Sequence, residues 1–400
     1  MASAPVDNVE AARNLLSERS QRSGEVLAIS VPGRLNLMGE HIDYHGLAVL
    51  PIALQRHMSI AFRRRPDRQI HVVSRLDGQG ELVGILDGDS TPAAPGDWMN
   101  YISAAVIAGR TRWNLNYGMD AAIASDLPAA AGLSSSSALL TAVLLALLAM
   151  DTIRPSFKEL MEILPEAEQF VGTRGGAMDH AAILASRAGH ALLVEFDPVE
   201  ISHIPIPDGW SFLVSHSMMQ AEKSGAVRAE FNARREAGVN ALRKLGFSSY
   251  RAAIQQNGAG ELTEMAAEQA WLGNLTDTEM HAFQHVVMEA TRVDDALSAL
   301  RNSDAAAFGN VLTASHASLR SQLRVSTPDL DRLVDLALEA GALGARLSGA
   351  GFGGCAVVFC ARTRLEQVRE GLIERYFAGR PDFDPEQHLF EAVPSRGALG

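Results

Sequence analysis

Cysteine is almost missing from these 400 residues: there are two, Cys355 and Cys360, five apart in an apolar run. On a strand, residues five apart point to opposite faces, which opposes a disulfide between them. Two thiols without a nearby His also make a poor metal site, so a reduced, cytoplasmic chain is expected. The N-terminus MASAPVDNVEAARN has no basic start and no apolar h-region, so no signal peptide is read there. The longest apolar run, residues 138–150, has 13 residues and includes Thr141, too short to span a bilayer. It reads as a buried helix. No long basic run offsets a net charge of -12, which argues against a nucleic-acid surface. Arg63, Arg64 and Arg65 form the densest basic cluster, read as the solvated end of a strand. Neither nucleic acid nor membrane is expected as a partner, and there is no internal repeat or low-complexity tail.

What remains is an ordinary globular composition, 47% hydrophobic and 20% charged, in a chain long enough for two cores. Helices are expected over residues 9–22, 97–110, 138–150, 157–171, 220–245, 249–256, 304–323 and 329–340. Strands are expected over residues 26–31, 48–54, 58–64, 69–74, 119–125, 190–196 and 356–361. Ile204-Pro205, Ile206-Pro207 and Asp208-Gly209 mark a change of character, which divides the chain into residues 1–205 and 206–400.

Three stretches carry chemistry. Residues 32–54, PGRLNLMGEHIDYHGLAVLPIAL, pack Arg34, Glu40, His41 and Asp43 ahead of an apolar segment. Buried charge is tolerated only when paired or bound, so this reads as a loop built to hold a polar ligand; the bland alternative is a solvated turn with Arg34 in an ion pair. Residues 126–138, DLPAAAGLSSSSA, put four serines where a helix starts. The first amides of a helix lack partners and carry partial positive charge, and small residues let a phosphate approach them. The Gly-Lys-Ser/Thr ending of a Walker A loop is not there. A Ser-rich cap is the plain alternative. Residues 344–355, GARLSGAGFGGC, let backbone amides approach a ligand closely, or simply close a glycine-rich hairpin. Between them lies VGTRGGAMDHAAIL, residues 171–184, where Asp179 opens a helix and by itself reads as a cap.

Together these stretches resemble the GHMP kinase superfamily, and within it the galactokinase branch. Residues 32–54 are similar to the Gly-Arg-x-Asn-Leu-x-Gly-Glu-His-x-Asp-Tyr signature, and the serine and glycine stretches to the second and third motifs. Trp98-x-Asn100-Tyr101, Met178-Asp179 and residues 325–331 also fit, so the likeness covers roughly residues 25–362. The resemblance implies an α/β (α+β) fold of two domains with the active site in their cleft, and an ATP- and Mg²⁺-dependent sugar 1-kinase. Galactose is the foremost substrate; another sugar such as arabinose, a heptose or a uronate, or a silent sugar and ATP sensor, are the alternatives. A monomer or small homo-oligomer is expected.

Carried over residue by residue, Arg34 and Asp179 are the catalytic pair, and Glu40, His41, Asp43, Gly176 and Phe231 meet the sugar. Ala131, Gly132, Leu133, Ser134, Ser135, Ser136 and Ser137 cradle the triphosphate, while Gly349, Ala350 and Gly351 line the cleft from the third motif. Mg²⁺ falls to Ser136 and a carboxylate; the family position lands on Ala167, between Glu166 and Glu168, and a one-residue shift selects Glu168. The Glu40 carboxylate is expected to repel a uronate, which favours a neutral sugar. Three departures from the pattern bear on the sugar and the loop: His180 stands where Gln is usual, Phe231 where Tyr is usual, and Ala130 and Ala131 where Gly is common.

Overall fold

The computed structural model describes residues 7–76, 80–86, 93–94, 96–128, 131–172, 175–219 and 226–400. Near the N-terminus, α1 (Asn8–Arg19) is capped by Asp7, whose carboxylate accepts from the Val9 and Glu10 amides, and it lays Ala12, Leu15 and Leu16 on a sheet. That sheet holds β1 (Leu27–Met38), β2 (Leu50–Arg65), β3 (Ile70–Leu76), β4 (Gly80–Leu86) and β5 (Gly118–Ser125), in the order β1-β2-β5-β3-β4. Only β3 and β5 run parallel. Its other face is covered by α2 (Met99–Trp113) and α3 (Ser135–Met150). The α3 helix is apolar nearly all round and is buried, as such a helix must be.

Next come α4 (Phe157–Gln169), α5 (Met178–Ala185) and the hairpin β6 (His190–Glu195) and β7 (Glu200–Pro205). A second sheet, order β11-β8-β10-β9, is built from β8 (Trp210–His216), β9 (Gly344–Ser348), β10 (Cys355–Ala361) and β11 (Leu389–Ala392). Between β8 and β9 lie α6 (Ala226–Lys244), α7 (Tyr250–Trp271), α8 (Asp277–Asn302), α9 (Ala305–Ser318) and α10 (Pro328–Glu339). The short α11 (Leu365–Leu372) and α12 (Pro385–His388) precede β11. Along β10 the side chains alternate between two cores: Cys355, Val357 and Phe359 enter one, Ala356, Val358 and Cys360 the other. The thiols therefore face opposite ways, as their spacing requires, and both are free. Among the described residues no helix is long and apolar enough to cross a membrane.

The two sheets meet edge to edge, and side chains make the seam. β1 ends one sheet and β9 ends the other. From β9, Arg346 donates to the Asn36 and Leu37 carbonyls at 2.7 and 2.9 Å, and Ser348 Oγ bonds the Asn36 amide and carbonyl. The C-terminal tail returns to the first half of the chain, where the Ser395 amide bonds Ala53 on β2 and the Ala398 amide bonds Ile183 on α5.

Three expectations change. Residues 32–38 are strand, not loop, because their backbone pairs with β2; the chain turns away only from Gly39 to Ala48. Residues 48–54 and 58–64 belong to one strand, β2. The triple-Arg cluster is not a solvated end: Arg65 is buried and forks onto Asp67 and Asp120, Arg63 is buried too, and only Arg64 is exposed.

Candidate active site

Arg34 lies on β1 between two register shifts, Pro32/Arg34 and Asn36/Met38, and such irregularities re-aim a strand's side chains. Gly33 makes the approach possible. A Cβ there would sit 2.9 Å from the Leu133 carbonyl, which instead accepts from the Arg34 amide at 3.1 Å. The Arg34 guanidinium donates through Nε to Asp179 Oδ1 at 2.7 Å and through Nη1 to the Gly132 carbonyl. Burial works against its charge, but Asp179, Glu40 and Asp43 together raise its pKa, so it is a permanent cation.

Asp179 sits in the first turn of α5, yet no side chain caps that helix. Its carboxylate instead accepts from Ser134 Oγ at 2.6 Å and, more weakly, from Ser137 Oγ at 3.4 Å, besides Arg34. The cap reading fails because stronger donors from two other elements claim the group.

Around this pair a cavity is lined by Arg34, Glu40, His41, Asp43, Tyr44, Glu168, Gly175, Gly176, Met178, Asp179, Val227, Arg228, Phe231, Gly349 and Ala350. All five expected sugar contacts are among them. Asp43 accepts from the Tyr44 amide at 2.9 Å and the Met178 amide at 3.4 Å. Burial first, then the nearby Asp179 charge, pushes its carboxyl up to about 7. His41 has φ +62° and bridges two motifs, with Nε2 3.1 Å from the Ala350 carbonyl and Nδ1 2.8 Å from the Tyr44 hydroxyl. The carbonyl can only accept, so Nε2 carries the proton and Nδ1 accepts from Tyr44. Burial lowers the His41 pKa to about 3, leaving the ring neutral. Phe231 packs against both rings, its centroid 5.3 Å from His41 and 5.8 Å from Tyr44.

Glu40 departs from the expectation that its charge repels an acid. Arg346 Nη2 donates to its Oε2 at 2.9 Å and Asn36 Nδ2 to the same oxygen at 3.1 Å. Burial raises the Glu40 pKa, with Arg346 and Arg34 opposing the shift. The buried guanidinium offsets the negative charge, so Glu40 by itself is a weak barrier to a uronate.

At the serine stretch, Gly132 and Ser134 take φ +75° and +62°, while Ala131 avoids the left-handed region and so needs no Gly; Ala130 lies outside the described residues. The four serines divide their work. Ser134 and Ser137 turn inward to Asp179, and Ser137 also donates to Glu168 Oε1 at 3.0 Å. Ser135 and Ser136 stay half-buried in the first turn of α3, where helix amides lack intrahelical acceptors. Glu168 is buried against the cavity while Glu166 is exposed, so the helix turns Glu168 inward. His180 holds the other Glu168 oxygen at 3.1 Å and contacts Thr141 Oγ1 at 3.4 Å.

Among the described residues no three acidic, His or Cys groups gather into a protein-only metal cage. Single oxygen donors beside a helix start whose amides lack acceptors suit Mg²⁺, which is usually shared between one or two carboxylates, phosphates and water. Ser136 and Glu168 fit that pattern.

The glycine stretch is a hairpin, and its turn also reaches the site. Gly349 and Gly351 have φ +90° and +77°, and a Cβ on Gly349 would lie 2.8 Å from the Gly132 carbonyl. Val227 and Arg228 line the cavity without having been singled out, and Tyr44 and Met178, noted within motifs but not as site residues, line it too. Arg346, Glu289 and His285, buried behind it, were not singled out either. A charged residue between Ala345 and Leu347 was a signal for Arg346; α8 was not recognised as a helix, so its residues gave none.

Comparison with known proteins follows the same lines. "GHMP kinases N terminal domain" matches residues 100–187, "GHMP kinases C terminal" residues 296–378, and "Galactokinase galactose-binding signature" residues 17–64. The chain is 35% identical to a galactokinase of Roseiflexus sp. (strain RS-1) over 354 residues, 87% of each chain. It is 33% identical to a galactokinase of Streptomyces coelicolor over 381 residues, 92% of each. The fold is similar to that of the Lactococcus lactis galactokinase crystallised with galactose (TM-score 0.84, 24% identity, 96% of this chain and 97% of that one). It is less similar to that of the Methanococcus jannaschii mevalonate kinase (TM-score 0.63, 18% identity, 94% and 100%).

Proposed function

Since the chain belongs to the galactokinase family of the GHMP kinases and is an ATP-dependent sugar kinase, we propose that it phosphorylates the anomeric hydroxyl of galactose at the Arg34–Asp179 pair. The observation that carries this reading is the placement of that pair on the wall of a cavity lined by the first and third motifs, with the second motif reaching the pair through Ser134 and the Gly132 carbonyl. Residues 1–205 and 206–400 serve as its two domains, each contributing a sheet to the seam behind the cavity.

Phosphoryl transfer asks mainly for positioning and neutralisation of charge. Arg34 and Ser134 donate to the Asp179 carboxylate at 2.7 and 2.6 Å, so its value as a base comes from aim more than strength. It accepts the proton of the anomeric hydroxyl, or holds that hydroxyl as it ionises. Arg34 balances the carboxylate and the charge on the phosphoryl group. Glu40, His41, Asp43, Gly176 and Phe231 hold the sugar, and Gly349, Ala350 and Gly351 close the cleft. The amides and hydroxyls of residues 131–137 hold the triphosphate on the positive end of α3. Mg²⁺, when bound, neutralises phosphate charge; Ser136 and Glu168 are the residues that would hold it. Two buried free thiols fit a reducing cytoplasm.

The test is ADP release with Mg-ATP across galactose, glucose, galactosamine, arabinose, mannose and galacturonate. Turnover with galactose well above the rest supports the reading. A better substrate elsewhere in the panel would replace galactose and leave the phosphoryl chemistry standing; no turnover with any sugar would favour the silent sensor.

A further inference from the structure

Glu40 is held by its backbone as well as its side chain, and the backbone is held from α8. Glu289 Oε1 accepts from the Gly39 amide at 3.2 Å and the Glu40 amide at 3.3 Å. His285 Nε2 lies 3.0 Å from the Glu40 carbonyl, which can only accept, so this nitrogen is the donor. The two side chains are one helical turn apart, at i and i+4, and therefore share a face. Both are wholly buried. Neither is idle: Ser315 Oγ donates to Glu289 Oε1 at 2.8 Å, Arg292 Nε donates to its Oε2 at 2.7 Å, and Ser318 Oγ lies 2.8 Å from His285 Nδ1.

Keeping a carboxylate at zero exposure is costly unless it is paired and bonded. A hydrophobic contact would anchor α8 at less cost. What the polar pair adds is direction, because amides and a carbonyl on both sides of one residue fix the plane in which its side chain leaves the chain. Gly39, at φ +93°, provides the turn that exposes these groups to the helix. With Arg346 on the carboxylate, every polar group of Glu40 has a partner reaching from the second half of the chain.

We propose that His285 and Glu289 form a clamp on the backbone of Glu40, and that they are positioning residues for sugar recognition which do not touch the sugar. The clamp rests on the reading of Glu40 as a sugar contact. It makes sugar affinity depend on how α8 is seated, whereas the triphosphate elements, on α3 and the loop before it, are outside its reach.

The discriminating variants are His285→Leu, which removes the donor, and His285→Gln, whose amide replaces Nε2 in reach and chemistry. The clamp predicts that His285→Leu raises the galactose KM and calorimetric Kd by about tenfold, the size expected for one lost buried hydrogen bond. KM for ATP should stay near wild type while Tm falls modestly, as the loss of a buried hydrogen bond requires, and His285→Gln should recover most of the sugar affinity and of the Tm. An unchanged sugar Kd in His285→Leu would overturn the proposal. So would a parallel loss of ATP affinity and Tm in both variants, which is what a merely structural residue would give. Amide exchange over residues 39–41, measured without sugar, separates this from the choice of substrate: faster exchange in His285→Leu supports the clamp even if galactose is not the sugar, and unchanged exchange refutes it even if galactose is.

Discussion

Gly176 and Asp43 are in such close approach that a Cβ on the glycine would overlap the Asp43 carboxylate. Gly176 needs no left-handed backbone, so its role is to leave space. The space is occupied by the Asp43 carboxylate, which accepts from the amide of Met178 just ahead of Asp179.

Gly176→Ala therefore pushes Asp43 off its amides and out of register with the sugar. The galactose KM is expected to rise about tenfold or more, with the KM for ATP little changed, since a substrate group displaced by about 1 Å is enough for losses of this order. Steady-state kinetics in both substrates checks the split.

Asp43 also predicts a pH effect. Its folded pKa, pushed up to about 7 by burial and then by Asp179, lies above that of an unfolded aspartate near 3.8. A raised carboxyl pKa contributes stability that is fully present below the unfolded value and lost as pH climbs through the folded one. The sugar-free protein should thus gain Tm from Asp43→Asn at pH 8, with the gain shrinking to nothing near pH 4. An equal Tm difference at both pH values would contradict the shift.

Removing the metal should stop turnover, and Mg²⁺ should restore it. Glu168→Gln keeps the Ser137 and His180 contacts within reach of an amide but discards the charge. The concentration of Mg²⁺ needed for half-maximal rate should rise severalfold, and direct titration with Mn²⁺ should weaken in parallel. An unchanged requirement would return the role to another carboxylate.

Phe231→Tyr restores a hydroxyl beside His41 and Tyr44. One added hydrogen bond is worth about 0.5–1.5 kcal/mol, so galactose affinity should improve roughly twofold to tenfold. If affinity falls instead, the aromatic packing of Phe231 on His41 matters more than the missing hydroxyl.

How far the sequence discloses all this depends on the range of each interaction. The apolar run of α3 and the glycines of the third motif state their structure locally, because burial and φ > 0 leave marks on composition. Asp179 does not: an Asp at a helix start is a cap by default, and only folding brings Arg34, 145 residues away, to its side. Residues 32–38 look like a loop because charged residues in a strand are costly, and the strand survives since Arg34 finds Asp179 and Gly132 and Asn36 finds Ser348 across the seam. The clamp on Glu40 was invisible for the same reason. His285 and Glu289 carry no pattern of their own on α8, and they lie 245 and 249 residues from the backbone groups they hold.

The decisive measurement is phosphoryl transfer by Asp179→Ala. With purified, folded protein, Mg-ATP and galactose, transfer should fall by a factor of about 10² to 10⁴, the range a positioned acid–base group supplies, while ATP binding by calorimetry stays intact. Turnover at the wild-type rate in that variant would contradict the assignment of the Arg34–Asp179 pair as the centre of the reaction.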